Sequence, residues 1–380
     1  MRVVTIFGTR PEAIKMSPVI RALGDKFGVD SLVCSTGQHR QMLDQVTRFF
    51  GIVPDFDLNI MRSQQDLFDV TSNVLLGVRD VLRETRPDVV CVHGDTTTCL
   101  ASSLAAFYEG IPVAHVEAGL RTGDFTAPFP EEANRVLVSR IAKYHFAPTK
   151  LAKNNLLKEG VNEQLLSVTG NTVIDALLWA RDKIHAEYGT SYWRDLFGGE
   201  IFDRVNDRTR RMVLITAHRR ESFGAGFEHI CDAIEDLAKT HPDVDFIYPV
   251  HLNPNVREPV FRRLGRYENV LLIEPQEYAP FVWLMDRSHI ILTDSGGIQE
   301  EAPSLNKPVF VLRGVTERPE ALNAGTVKLV GTDPKIIISN VNSVLRDVDE
   351  YQKMANAVNP FGDGTASIKI VNFLSDRFSI

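Results

Sequence analysis

The sequence predicts an α/β protein made of two Rossmann-like, doubly wound domains. Strand-like apolar stretches alternate with helix-like stretches from end to end, which is the pattern of parallel sheets covered by helices. The strands form two self-contained series, separated by a charged, mixed stretch over residues 181–211. At 380 residues the chain is also longer than one hydrophobic core usually organises. We therefore expect an N-terminal domain over residues 1–170 and a C-terminal domain over 171–365.

Each predicted strand is a short apolar run, rich in β-branched residues and bounded by turn residues. The first series covers residues 3–7, 30–36, 89–92, 113–116, 144–147 and 166–169. The second covers residues 212–216, 246–250, 270–273, 290–293, 309–312 and 327–330. A final helix is predicted over 366–378 after the turn-rich NPFGDGTA, and we expect the segment 366–380 to pack back on the N-terminal domain.

The two series open alike, with an apolar strand, an Arg-bearing polar loop and a helix, in VVTIFGTRPEA and MVLITAHRRES. In the first, Ser17 and Pro18 suit an N-cap and a first helical position. The sequence therefore predicts that the first helix begins there, and that residues 8–16 form an irregular binding loop.

The composition points away from nucleic acid and membranes. The chain has 42 Lys and Arg against 49 Asp and Glu, a net charge of −7, and no long basic block. No apolar run is long enough for a membrane span, and the first strand leaves no room for a signal peptide. The cysteines show no CxxC spacing and are expected to be reduced and buried, as in a cytoplasmic protein; they are Cys34, Cys91, Cys99 and Cys231.

Three carboxylates follow neighbouring predicted strands or open a helix at the same sheet edge. Asp95 and Glu117 close two consecutive strands of a β-α-β unit, and Glu131 follows Pro130, a residue suited to a helix start. Clustered acids separate each other's pKa values, so one site can hold both a base and an acid. The alternative is that each is a solvated or helix-capping residue.

A phosphate-binding turn is indicated where the strand 290–293 runs into DSGG. Ser295, Gly296 and Gly297 would offer a hydroxyl and backbone N–H groups at a helix N-terminus. No GK[ST] follows and the GxGxxG spacing is absent, so neither a Walker A loop nor a nicotinamide site is favoured. Glu301, one helical turn further on, could reach sugar hydroxyls. The alternative is a simple turn followed by a solvated helix face.

The polar loops at the start of each series carry cations. Arg10 in GTRPE could hold a diphosphate from one side of a cleft between the domains, and His218, Arg219 and Arg220 in AHRRE could hold it from the other. Alternatively the arginines of these loops pair with Glu12 and Glu221.

The remaining histidines near strands are expected in the core, and no metal-binding spacing such as HExxH is present. They are His93, His115, His145 and His251.

Together these segments resemble the bacterial UDP-N-acetylglucosamine 2-epimerases of the non-hydrolysing type. The motifs are GTRPEAIKM, HGDTTT, HVEAGLRTGD, PFPEEANR, TGNTVIDAL, HRRESFG, YPVHLNPNVRE, TDSGGIQEEAPSL and TERPEAL. The resemblance implies a GT-B-like fold whose domains face a central cleft, a homodimer, and interconversion of UDP-N-acetylglucosamine and UDP-N-acetylmannosamine through UDP and a 2-acetamidoglucal. It also implies no redox cofactor and no metal.

The resemblance further implies which residues act. Catalysis would fall to Asp95, Glu117, Glu131 and His218. Substrate contacts would come from Arg10, Lys15, Asp95, Glu117, His218, Gln276, Phe281, Ser295, Gly296, Gly297, Glu301 and Arg318. Three other functions stay open: a hydrolysing epimerase that releases N-acetylmannosamine, a GT-B glycosyltransferase, and a non-catalytic nucleotide-sugar sensor.

A second nucleotide-sugar site, through which substrate activates the enzyme, is also implied. It would comprise Gln38, His39, Gln41 and His251. The alternative is a polar helix start followed, much later in the chain, by a core histidine.

Overall fold

The computed structural model describes residues 1–37, 40–62 and 64–380. The chain divides into two compact units. Unit 1 comprises Met1–Ala176 and Phe361–Ile380, and unit 2 comprises Leu177–Pro360. Each unit is an α/β body around its own parallel sheet.

Within the described residues, the sheet of unit 1 has seven parallel strands in the order β3-β2-β1-β4-β5-β6-β7. They are β1 (Arg2–Phe7), β2 (Asp30–Ser35), β3 (Phe56–Asp57), β4 (Val89–His93), β5 (Val113–Val116), β6 (Tyr144–Ala147) and β7 (Leu166–Val168). The helices are α1 (Arg10–Gly24), α2 (Arg40–Phe50), α3 (Leu67–Thr85), α4 (Thr97–Tyr108), α5 (Glu131–Ile141), α6 (Lys150–Lys158), α7 (Thr172–Glu187), which continues into unit 2, and α17 (Ala366–Phe378). A 3₁₀ turn at Glu163–Leu165 precedes β7. The two-residue β3 is the one strand of this sheet that the sequence did not predict, because so short a strand has no readable alternation.

The first helix begins earlier than predicted. Helix α1 starts at Arg10, and the carboxylate of Glu12 accepts the N–H groups of Gly8 at 3.0 Å and Thr9 at 2.8 Å. This satisfies donors that a helix start leaves open, and Pro11 in the first turn has no donor to satisfy. The prediction of a start at Ser17 was therefore wrong. Pro18 lies inside the helix, which tolerates it.

Helix α17 lies in unit 1, where it packs on α1 and on β6. Phe373 meets Phe146 edge-on, with ring centroids 5.4 Å apart. The helix start is fixed by Asp175, whose carboxylate accepts the N–H groups of Ala366 at 3.2 Å and Ser367 at 2.8 Å. The C-terminal segment is thus part of the body that carries the N-terminal sheet.

In unit 2 the described sheet has six parallel strands in the order β10-β9-β8-β11-β12-β13. They are β8 (Arg211–Thr216), β9 (Val244–Pro249), β10 (Val270–Ile273), β11 (Ile290–Thr293), β12 (Val309–Val311) and β13 (Val327–Leu329). The helices are α8 (Thr190–Phe197), α9 (Gly199–Asn206), α10 (Ala225–Thr240), α11 (Pro254–Leu264), α12 (Tyr278–Arg287), α13 (Gly296–Glu301), α14 (Pro319–Ala324), α15 (Pro334–Arg346) and α16 (Val348–Ala355). Short 3₁₀ turns lie at Arg220–Ser222 and Ala302–Leu305. The predicted strands of this series are all present.

Buried apolar side chains form the core of each unit between sheet and helices. In unit 2, Phe227, Ile230 and Ile234 of α10 pack on β8 and β9. Loss of apolar surface to water is the main force that stabilises such layers. All four cysteines are free and buried, as predicted, and burial raises the pKa of Cys91 to about 12. None of the described helices is both long and apolar enough to span a membrane.

Candidate active site

The carboxyl ends of β1, β4 and β5 lie side by side in the sheet of unit 1. The segments that follow these strands carry the polar residues predicted for the site. The start of α1 is tied to the start of α4, because Thr96 Oγ1 donates to Glu12 Oε1 at 2.6 Å. Glu12 thereby caps α1 and joins two loops. This edge is where open α/β sheets usually bind ligands.

Glu117 follows β5 directly, is partly buried and is surrounded by donors. Its Oε2 accepts the ammonium of Lys15 and, at 2.7 Å, the side-chain amide of Asn171, and it lies 3.7 Å from Nε2 of His93. Burial by itself would raise the pKa of this carboxyl, but Lys15 and His93 outweigh burial and hold the pKa of Glu117 well below its usual range. Glu117 is therefore a carboxylate at neutral pH.

Asp95 follows β4 and shows the opposite tendency. Its Oδ2 accepts Nη2 of Arg135 at 2.7 Å, and its backbone carbonyl accepts Asn134 Nδ2 at 2.8 Å. Burial raises the pKa of Asp95, assisted by the charge of Glu117 and opposed by Arg135. The charge of Glu117 therefore reaches Asp95, which follows the neighbouring strand at the same edge of the sheet.

Glu131 is the first residue of α5, as predicted, and is partly buried. Its neighbour Glu132 has a different role: it is buried and accepts the N–H groups of Thr122 at 3.0 Å and Gly123 at 2.9 Å. Glu132 also lies 3.3 Å from Arg135, the partner of Asp95. The helix that begins at Glu131 thus holds Asp95 and the preceding loop.

Three of the four predicted core histidines are buried, as expected. His115 is buried with Nε2 2.7 Å from the carbonyl of Gly94, and burial lowers its pKa to about 3. Burial likewise lowers the pKa of His145 to about 4. His93 is buried beside Glu117. His251, by contrast, is exposed, so the prediction of a core position was wrong.

At the corresponding edge of unit 2, the buried Asp294 joins the ends of β8 and β11. Its Oδ2 accepts the N–H groups of His218 at 2.6 Å and Arg219 at 2.7 Å. The imidazole of His218 lies with Nδ1 3.4 Å from Asp294 Oδ1 and stacks on His251, with centroids 5.5 Å apart. Partial burial lowers the pKa of His218, although Asp294 opposes this effect.

The SGG turn opens α13 beside an arginine. Ser295 occupies the N-cap position, and its hydroxyl is not used to cap the helix. A Cβ on Gly296 would lie 3.7 Å from Nη2 of Arg318, whose guanidinium pairs with the buried Glu300. A Cβ on Gly297 would lie 3.3 Å from Glu301. Hydroxyl, helix N-terminus and guanidinium thus meet in one place, a suitable arrangement for an anion.

The positions of three other residues named from the sequence do not by themselves indicate a function. Glu221 pairs with Arg313 at 2.6 Å. Gln276, in the loop before α12, donates to the carbonyl of Glu274 at 2.7 Å. Phe281 is partly buried on α12.

Part of the predicted second site lies outside the described residues. This applies to Gln38, His39 and the side chain of Gln41. Within the described ranges, no group of three or more His, Cys, Asp or Glu side chains is arranged to hold a metal ion.

Among the residues that the sequence did not single out for this site are Asn134, Asn171, Glu132 and Asp294. One indication in the sequence pointed to Asn171, which was its place in the motif TGNTVIDAL. Nothing in that motif indicates which strand end the side chain faces.

Comparison with known proteins shows which family the chain resembles over nearly its whole length. A family model described as UDP-N-acetylglucosamine 2-epimerase matches residues 21–375. The UDP-N-acetylglucosamine 2-epimerase of Escherichia coli (strain K12) is 56% identical over 379 residues, covering 99% of each chain. A crystal structure of the Neisseria meningitidis enzyme bound to UDP-GlcNAc aligns with TM-score 0.88 at 52% identity, over 99% of this chain and 100% of that one.

A more distant relative shares the same architecture. The Methanocaldococcus jannaschii enzyme in complex with UDP-GlcNAc and UDP aligns with TM-score 0.78 at 35% identity, over 99% of this chain and 100% of that one. With the two observed sheets, these alignments confirm the predicted fold class, a GT-B-like chain of two Rossmann-like domains.

Proposed function

The chain belongs to the UDP-N-acetylglucosamine 2-epimerase family, and we propose that it interconverts UDP-N-acetylglucosamine and UDP-N-acetylmannosamine as a non-hydrolysing isomerase. The observation that supports catalysis, rather than binding alone, is the pair of carboxyl groups in unit 1. Glu117 is held ionised while Asp95 is shifted toward its protonated form. Two neighbouring acids whose pKa values are pushed apart supply a base and an acid to one site.

The chemistry explains why such a pair is needed. Carbon 2 of the sugar has no adjacent carbonyl, so a side-chain base cannot remove its proton directly. We propose that the bond between C1 and the diphosphate oxygen breaks first or in concert. Loss of UDP makes C1 electron-poor and the C2 proton acidic, and its removal gives a 2-acetamidoglucal. Re-addition of UDP, with protonation of C2 from the other face, gives the epimer.

The negative charge that develops on the departing UDP must also be stabilised. We propose that the SGG turn, Arg318 and His218 bind the diphosphate, together with Arg10. The full set proposed to contact substrate is Arg10, Lys15, Asp95, Glu117, His218, Gln276, Phe281, Ser295, Gly296, Gly297, Glu301 and Arg318. Those proposed to take part in chemistry are Asp95, Glu117, Glu131 and His218.

Deuterium incorporation tests the proposal. Purified protein is mixed with UDP-N-acetylglucosamine alone in deuterated water, and products are followed by NMR. We expect UDP-N-acetylmannosamine with one deuterium at C2. Free N-acetylmannosamine with UDP would instead indicate a hydrolysing enzyme, which the bacterial relatives do not favour. Turnover without label at C2 would contradict elimination, and no conversion without an added acceptor would favour a glycosyltransferase.

We further propose a homodimer and activation by UDP-N-acetylglucosamine at a second site. His251 supports the second proposal, since it is exposed and stacks on His218, so a ligand at His251 can affect the diphosphate-binding histidine. An activator that binds one conformation better than another shifts the population toward it. The product would serve synthesis of cell-surface polysaccharide in the cytoplasm.

A further inference from the structure

Glu117 is held asymmetrically. Its Oε2 faces Lys15, Asn171 and His93. Its Oε1 lies toward the backbone of Gly94, since a Cβ placed there would be 3.8 Å from that oxygen. Within the described ranges, no group donates a hydrogen bond to Oε1. One oxygen is therefore fixed by the protein and the other remains able to accept a proton.

The donor Asn171 is itself fixed in orientation. Its Oδ1 accepts the N–H of Val173 at 3.1 Å at the start of α7, which identifies Nδ2 as the group that meets Glu117 at 2.7 Å. Its backbone N–H donates to the carbonyl of Phe361 at 2.6 Å. The residue before it, Gly170, has φ +91° and lies so close to Phe361 and Gly362 that a Cβ would be 3.1 Å from the carbonyl oxygen of Phe361.

This second contact comes from a distant part of the chain. Phe361 opens the C-terminal segment of unit 1, whose helix α17 is anchored by Asp175 on α7. The return segment thus holds the backbone of Asn171, and α7 holds its side chain. The side-chain amide of Asn171 is thus held in place against the partly buried carboxylate of Glu117, as residues that support a reacting group must be.

We propose that Asn171 is the positioning residue for Glu117, and that Glu117 Oε1 accepts the C2 proton of UDP-N-acetylglucosamine while Asp95 supplies the proton on the opposite face. This assignment rests on the proposed epimerase function. In the forward direction the C2–H electron pair forms the C1–C2 double bond, the C1–O pair leaves with UDP, and the proton stays on Glu117. Re-addition forms the C1–O bond again, and the electron pair of the double bond takes a proton from Asp95. Solvent exchange restores both carboxyl groups.

The charges around Glu117 favour this direction. The titratable groups that face it are Lys15 from α1, His93 from β4 and Asp95 from the loop before α4, with Arg135 of α5 behind Asp95. The cation that contacts Glu117 lowers its pKa, whereas burial raises that of Asp95. The two pKa shifts therefore run in the directions that the proposed roles require, lower for the acceptor Glu117 and higher for the donor Asp95.

The sharpest test is Asn171→Asp. Aspartate is isosteric and keeps an oxygen for the N–H of Val173, so the cap of α7 is retained while the donor to Glu117 becomes an acceptor. We expect kcat at pH 7 to fall about 10²-fold with KM changed less than about threefold, because the substitution misplaces a proton-transfer group and leaves the residues that bind substrate intact. The acid limb of the kcat profile should move to higher pH, because Glu117 would bind its proton more readily.

Asn171→Ser distinguishes the effect of Asn171 on Glu117 from its capping of α7. Serine still caps a helix but is too short to reach Glu117, so it should show the same direction of shift in smaller degree. Asn162→Asp is the matched control, because Asn162 caps the 3₁₀ turn of unit 1 through the N–H of Gln164. The control should keep the wild-type pH profile. A lower melting temperature with an unmoved acid limb in both Asn171 variants would assign Asn171 a purely structural role and overturn the proposal.

A second readout does not depend on turnover. Carbon-13 NMR of the glutamate carboxyl groups, assigned to Glu117 through Glu117→Gln, follows its titration without substrate. A raised pKa of Glu117 in Asn171→Asp supports the proposal, and an unchanged pKa overturns it. If the wild-type protein does not epimerise the sugar, the proposed function fails, whereas an active wild type with an unshifted variant profile refutes only the assignment made here.

Discussion

At the carboxyl edge of the sheet in unit 1, Glu117 and Asp95 meet side-chain cations, whereas at the same edge in unit 2 the buried Asp294 meets backbone N–H groups. Glu117 faces Lys15, and Asp95 faces Arg135. Asp294 instead accepts the N–H groups of His218 and Arg219. Backbone donors cannot move or change charge, so Asp294 serves to fix a loop.

This difference in hydrogen-bond donors suits the same sheet topology to two proposed tasks, proton transfer in unit 1 and anion binding in unit 2. In unit 1 the carboxylates are the groups that can exchange protons, and the backbone around them is fixed by other residues such as Glu12 and Glu132. In unit 2 the carboxylate Asp294 shapes the loop, and we propose that the neighbouring Ser295 hydroxyl, the glycine N–H groups and Arg318 bind an anion. We therefore expect changes to the two carboxylates of unit 1 to affect turnover and changes to the SGG turn of unit 2 to affect binding of UDP.

The largest effect is expected from the acids of unit 1. Replacing Asp95, Glu117 or Glu131 by its amide keeps side-chain size but removes proton transfer, so turnover should fall about 10²-fold or more for each. The thermal stabilisation by UDP should change little. Rates are measured by NMR with each variant at matched concentration, and Glu350→Gln on the exposed surface of α16 serves as control. Near-normal turnover in all three amide variants would remove the distinction between the two edges.

The next effect is on stability at acid pH. His115 and His145 are held neutral with pKa values of about 3 and about 4, against about 6.5 in an unfolded chain. Between these limits the unfolded state binds more protons, so stability is complete above pH 6.5 and is lost as the pH falls. For His115 alone the loss at pH 5 is about 2 kcal/mol.

Urea unfolding of the wild type and of His115→Gln at pH 7 and pH 5 measures this contribution. The variant keeps a donor toward Gly94 but has no titrating group, so its stability should depend less on pH. His185→Gln is the control, since His185 is exposed and lies on α7 beside Asp286. Equal losses between pH 7 and pH 5 in the wild type and in His115→Gln would refute the assignment.

A smaller effect is predicted for the anion-binding turn of unit 2. Ser295→Ala removes a hydroxyl, and Arg10→Ala removes the cation at the start of α1 in unit 1. Each should reduce the stabilisation by UDP by about 1 to 3 kcal/mol, the range of a charge-assisted hydrogen bond. Thermal shifts with UDP measure this, with Ser339→Ala on α15 as control. Identical shifts in the wild type and both variants would count against the assignment.

The smallest effect concerns His251. If UDP-N-acetylglucosamine activates through a site that includes it, the reverse reaction begun with UDP-N-acetylmannosamine alone should show a lag that a trace of UDP-N-acetylglucosamine abolishes. His251→Ala should raise the amount needed by roughly threefold to tenfold, equivalent to about 1 kcal/mol of coupling. Immediate linear turnover in the wild type would exclude such a site.

Local patterns were sufficient to predict most of the elements. Apolar runs between turn residues located the strands, and NPFGDGTA marked the start of α17 at Ala366. The strand ends then placed Asp95 and Glu117 at one edge, because consecutive parallel strands are neighbours. Where two local signals competed, the sequence was misread: Ser17 and Pro18 resembled a helix start, but the Thr9 to Glu12 capping arrangement satisfies more donors and begins α1 at Arg10.

Tertiary structure decided the roles of the charged groups. The sequence named the carboxylates but not their partners, since Lys15 on α1, Arg135 on α5 and Asn171 just before α7 reach them from distant parts of the chain. Likewise Asp294 was indistinguishable from an ordinary turn residue, and His251 from a core histidine, until their surroundings were known. The order of residues fixes periodicity and local hydrogen bonding, whereas a pKa depends on burial and on charges that only the folded chain brings within a few ångströms.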